Sequence, residues 1–196
     1  LWAQVSSARP DDATAAVALH GALIRAQAWD DLELFAGERG DWSLVWEPLH
    51  AAAAATPSQL LLSRLGRVAA ERLGDHALEA DAYRRAAELA PGDAEMLRRL
   101  ESACGLAGDA AGRADALERL LTAEVDAAVV RDVRLKLARV LGEDLARGAD
   151  AYAVLRDAAS GEPSDLELVE EATRHAVGAG ESSDWYGRLK RAAASL

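Results

Sequence analysis

Arg67 and Glu71 stand four residues apart, and 72 residues further on Arg139 and Glu143 repeat the pair at the same spacing. On a helix this spacing puts both side chains on one face, where they form a surface ion pair worth ~0.3–0.5 kcal/mol or meet the charges of a partner. The histidines offer less. His20, His50, His76 and His175 are far apart, and none stands in the His-x-x-x-His or Glu-x-x-His spacing that sets ligands on one helix face, so neither a metal nor a cofactor is expected. Cys104 is the only cysteine, which excludes an internal disulfide and a thiolate cluster built from this chain alone. It falls on an apolar stripe with Leu97 and Leu100, the setting of a packed thiol rather than a nucleophile. The glycine-rich stretch Gly105 to Gly112 lacks the preceding strand and the Lys-Ser/Thr of a phosphate loop. An adhesion-like Arg-Gly-Asp at Arg39 to Asp41 falls where a turn between helices is expected. No constellation supports catalysis, and the chain reads as a non-enzyme.

The elements that must hold these residues follow from composition and period. Of 196 residues 51% are hydrophobic but only 5% aromatic, so the core is built from Ala, Leu and Val, which suit close helix contacts better than sheets. A net charge of -11 repels phosphate backbones, and no nucleic-acid partner is expected. The best apolar run, "AAVALHGALI", is too short for the ~18–20 residues that span a bilayer, so the chain reads as soluble, without membrane insertion. It begins at Leu1 without Met or a signal-like leader, which suggests a piece of a longer protein. Twenty Arg against two Lys, with much Ala, hints at a GC-rich bacterial source. The compartment stays open between cytoplasm and periplasm, with the cytoplasm favoured.

Sliding the chain by 72 residues superposes Leu65 on Leu137, Arg67 on Arg139, Val68 on Val140, Glu71 on Glu143, Arg84 on Arg156, Pro91 on Pro163 and Asp93 on Asp165. Such a period marks a repeat architecture. Prolines 57, 91 and 163 precede helices, and "LGD", "AGD" and "GAGE" separate helix partners. Leu61, Leu62, Leu65, Val68, Ala69 and Leu73 recur at three and four, a helical stripe. In the stretch Ala82 to Glu101, Tyr83, Ala86, Ala87, Leu89, Met96, Leu97 and Leu100 are expected to pack. The spacing predicts helices near 12–26, 28–39, 42–55, 58–73, 75–90, 93–107, 109–123, 126–145, 147–160, 164–179 and 182–195. Their short connections make antiparallel hairpins, and no linker divides residues 1–196 into domains.

These residues resemble the tetratricopeptide repeats, whose unit is a helix hairpin. Trp29, Leu32, Ala36, Gly40-Asp41, Trp42, Leu49, Ala52 and Pro57 follow the family order, as do Leu65-Gly66, Ala69, Tyr83, Ala86 and Pro91. Pro48 inside a helix and the longer ending Arg72 to Asp75 depart from it and suggest a divergent or half-a-tetratricopeptide variant. The resemblance implies an all-α superhelix, or solenoid, of about eleven helices. Large residues such as Trp29, Leu97 and Val169 would fill holes beside small ones such as Ala52, Ala86 and Ala158. It also implies a concave wall lined by first helices, on which Arg67, Glu71, Glu95, Arg98, Arg139, Glu143, Glu167, Glu170 and Arg174 would meet a protein or peptide partner. An exposed tryptophan on an end repeat would mark a second docking surface. The expected role is therefore a protein-interaction or scaffolding module. The alternative is a structural arm or a homo-oligomer joined through end repeats, and a helical enzyme or small-molecule regulator ranks last.

Overall fold

A computed structural model describes residues 13–194. Among them there is no strand, and eleven α-helices follow one another: α1 (Ala13–Ala26), α2 (Trp29–Arg39), α3 (Ser43–Ala55), α4 (Gln59–Val68), α5 (His76–Leu89), α6 (Ala94–Ala107), α7 (Ala110–Ala123), α8 (Ala127–Arg139), α9 (Gly148–Gly161), α10 (Leu166–Ala179) and α11 (Ser182–Ala193). The start expected at residue 12 lies outside the described residues. Two compact units divide between Leu89 and Ala90. No helix is long and apolar enough to cross a membrane among the described residues.

Glycine and aspartate make the hairpins. Gly74 and Gly108 end their helices at φ 65 and 73°, a left-handed turn that carries little steric cost only without a Cβ. The aspartate that follows each glycine starts the next helix. The Asp75 carboxylate accepts from the amides of Ala77 and Leu78, both at 3.0 Å, and Asp109 accepts from Gly112 at 2.8 Å. Gly40 turns the chain likewise at φ 65°, and Asp41 accepts from the Ser43 amide at 3.1 Å one residue ahead of the cap position Trp42, which makes Arg-Gly-Asp a helix-to-helix turn. Asp93 and Asp165 cap α6 and α10 two residues after Pro91 and Pro163, and Ser58 and Asp126 cap α4 and α8.

Unit one packs α1 to α5 in chain order, with Leu32, Val45, Leu49, Leu62 and Ala86 all 0% exposed. Tyr83 lies flat on Gly66, where a Cβ would come within 2.8 Å of the ring. Pro48 sits inside α3 and has no N–H to give the Leu44 carbonyl one turn back. His20 of α1 supplies the missing donor, with Nε2 at 2.8 Å from that oxygen, and its ring stacks on Phe35 at 5.7 Å.

Unit two packs α6 to α11 around Leu97, Leu100, Cys104, Leu117, Leu137 and Leu155. Both long first helices end in a π turn, Ala69–Leu73 after α4 and Val140–Asp144 after α8. A π turn winds fewer degrees per residue than an α-helix, so Leu73 leaves the apolar stripe and is 40% exposed instead of packed. Leu89, at the last position of α5, is likewise half exposed. Trp29, Ala52, Ala158 and Val169 keep partial exposure, while Ala86 and Leu97 are buried.

Candidate interaction surface

The nine charged residues expected to meet a partner lie on α4, α6, α8, α10 and the two π turns. Most are already engaged, and chiefly across helices rather than along them. In unit one Arg64 reaches back from α4 to α2, to Asp30 at 2.7 Å and Glu33 at 2.7 Å. Arg67 joins Glu33 at 2.8 Å and Glu71 at 3.7 Å, so the expected spacing-four pair forms as the longer of its two contacts. In unit two Arg131 of α8 reaches α10 with Nη2, which donates to Asp165 at 3.0 Å and to Glu167 at 2.8 Å. Arg139 takes Glu167 at 3.0 Å and Glu171 at 3.4 Å, and Glu143 takes Arg174 at 2.7 Å. The expected Arg139/Glu143 pair is thus replaced by two contacts to α10, because that helix offers each residue a nearer opposite charge.

Arg98 pairs with Glu124, in the connection after α7, and lies 3.8 Å from Glu95, which also holds Arg99 at 3.1 Å. Glu170 is exposed and makes no ion pair among the described residues. The hydrogen bonds from Arg131 hold the Asp165 and Glu167 carboxyls below their ordinary range, and Glu143 and Glu171 raise Arg174. Two backbone amides, from Asp126 and Val125, and then Arg98 lower Glu124.

Sequence reasoning does not count Asp30, Glu33, Arg64, Glu124, Arg131, Asp165 or Glu171 among the contact residues. Its signal was a different interval: Arg64 to Asp30, Arg67 to Glu33 and Arg131 to Asp165 are each 34 residues apart. That is one hairpin unit, so between α2 and α4, and between α8 and the start of α10, equivalent positions carry opposite charges. The hairpins are tetratricopeptide-like.

No family model matches the chain, and no curated protein does. The chain is similar to solved structures of MamA. A crystal structure of MamA protein aligns over 85% of this chain and 88% of its own, with 18% identity and a TM-score of 0.49. A second crystal structure of MamA aligns over 80% and 90%, with 19% identity and a TM-score of 0.47, and MamA MSR-1 C2 over 86% and 95%, with 18% and 0.49.

Aromatic residues divide between packing and exposure. Trp185 is buried, donates to Thr173 Oγ1 at 2.7 Å and meets Tyr152 edge-on. Trp42 lies under the Arg72 guanidinium at 4.7 Å. Trp29 is different: with Ala52, Ala55, Leu60, Leu61 and Arg64 it lines a cleft of about 530 Å³. Cys104 is fully buried, with Sγ 3.8 Å from Asp109 Oδ2.

Proposed function

We propose that the chain is a non-catalytic protein-interaction module whose units each offer their first helices to a partner segment. The observation that carries this reading is the unit-one cleft, whose rim residue Leu60 is 77% exposed and which opens beside Arg64, one of the arginines paired across α2 and α4. A large apolar side chain next to charges held in place by neighbours is the makeup of a binding anchor with a polar rim. The ion-pair ladder within each unit supports the same reading. An exposed ion pair gains little over water, so a partner's charges can replace one member at small cost while the other stays oriented. Arg67, Glu71, Glu95, Arg98, Arg139, Glu143, Glu167, Glu170 and Arg174 are the proposed contacts, with Leu60 and Trp29 as anchor.

The test is affinity capture with the full chain as bait, beside Leu60→Glu and the double variant Arg67→Glu with Arg98→Glu. Circular dichroism checks that each variant folds, and light scattering after size exclusion checks its mass. Capture of a defined prey by the parent and its loss with folded variants of unchanged mass is the expected outcome. Folded variants that capture the same prey at the same level would sink the proposal. Concentration-dependent mass in the parent, abolished by the variants, would instead favour self-association.

A further inference from the structure

His175 lies inside the ladder rather than on it. It is 6% exposed, and Nε2 is buried without a hydrogen-bond partner. The ring presses on the second π turn, where a Cβ on Gly142 would come within 2.2 Å of Cε1, so glycine at that position is what admits the imidazole. Nε2 stands 3.8 Å from Glu171 Oε2, outside hydrogen-bond range. Glu171 is held instead by Arg139 and by Arg174, whose Nε donates to it at 3.1 Å. The charges acting on the imidazole are Arg174 and Glu171 of its own helix and Glu143 of the π turn; α9 and α11 contribute none.

A proton on Nε2 changes this arrangement. The imidazolium becomes a donor facing a carboxylate, and a charge-assisted bond at ~2.8 Å needs only about 1 Å of approach. The same positive charge repels Arg174, which keeps Glu143 at 2.7 Å, and Arg139 keeps Glu167 at 3.0 Å. Each arginine thus has a second partner when Glu171 turns inward.

We propose that His175 is a proton-operated latch on the face formed by α8 and α10: once protonated it captures Glu171 and frees one side of Arg139 and of Arg174 for an acidic partner segment. This rests on the reading of that face as a contact surface. Burial, and then Arg174, hold the imidazole below its ordinary value of 6.5, so the latch works on the acid side of that value.

The experiment is hydrogen exchange with mass spectrometry on the full chain without partner, at pH 7.5 and 5.5, corrected for intrinsic exchange. In the parent, opening of residues 139–144 and 166–175 should become about fivefold faster at the lower pH, the size expected when a partly buried ion pair is given up. His175→Gln, which takes no proton, and Glu171→Gln, which removes the negative charge that both arginines and the imidazolium compete for, should each remove that acceleration. Acceleration that persists in either folded variant, or that is absent in the parent, overturns the latch. With no partner present the result is independent of the capture test, so either proposal can fail without the other.

Discussion

Gly66→Ala sets two effects of known size against each other. At an exposed helix position the change stabilises by ~0.8–1.0 kcal/mol, because alanine loses less backbone freedom than glycine. Gly66 is not exposed. Its new Cβ would stand 2.8, 2.9 and 3.1 Å from three carbons of the Tyr83 ring, and Tyr83 is only 4% exposed, so the ring has little room to withdraw. Overpacking of this kind costs ~1–3 kcal/mol, which leaves a net loss of ~0–2 kcal/mol. With a urea slope of ~2 kcal/mol per molar, the midpoint followed by circular dichroism should fall by up to ~1 M. Gly178→Ala is the control, since nothing lies within 4 Å of its Cβ; there the propensity gain acts alone, reduced to ~0.5 kcal/mol near the helix end. The repeat also supplies a rescue. Seventy-two residues on, Gly66 and Tyr83 become Ala138 and Leu155, both fully buried. Gly66→Ala combined with Tyr83→Leu should therefore cost less than the sum of the single changes. A Gly66→Ala midpoint above the parent's would refute the close ring contact, and strict additivity would refute the pairing with Tyr83.

Ala86→Leu, at a position 0% exposed, should lower thermal stability by the equivalent of ~1–3 kcal/mol, and an unchanged melting curve would contradict the packing. His20→Ala should cost ~1 kcal/mol by leaving the Leu44 carbonyl without its donor, and distinctly less in a Pro48→Ala background, where the helix amide returns; equal costs in urea unfolding would contradict the substitution of one donor for another. Ala146→Gly should stabilise by ~1 kcal/mol, since Ala146 holds φ 54° where the copy 72 residues earlier is Gly74. In acid, Asp165 and Glu167 have folded pKa values below the ordinary 3.8 and 4.5, so their contribution is present above that range and lost as pH falls through the depressed values. The urea midpoint should drop more between pH 4.5 and 2.5 for the parent than for Arg131→Gln, and parallel curves would contradict the assignment.

The helix map was legible because its punctuation is local: a glycine that stops a helix and an aspartate that caps the next lie side by side at Gly74-Asp75 and Gly108-Asp109. The π turns were not, because backbone winding has no side-chain signature, although Leu73 falling out of the stripe is its result. The ladder was half legible. A 72-residue offset compares alternate hairpins and so reveals copies such as Arg67 and Arg139, whereas ion-pair partners sit on neighbouring hairpins, 28 to 36 residues apart. Glu33, the carboxylate shared by Arg64 and Arg67, could have been found only at that shorter interval. His175 gave no signal, since its burial depends on Gly142, which is remote in sequence.

The π turns at Ala69–Leu73 and Val140–Asp144 also bear on how the chain tolerates change in length. A π turn holds one residue more than the α-helical turn it replaces, so each first helix carries a spare residue stored as a widened loop of backbone. Losing one residue there, Ala70 for instance, would let the helix close to ordinary winding with its ends nearly in place. The same deletion in the uninterrupted middle of α7 or α10 would rotate everything beyond it by about 100° and turn the apolar stripe from its neighbours. These two turns are therefore where the repeat can lose a single residue without redrawing the contacts on either side.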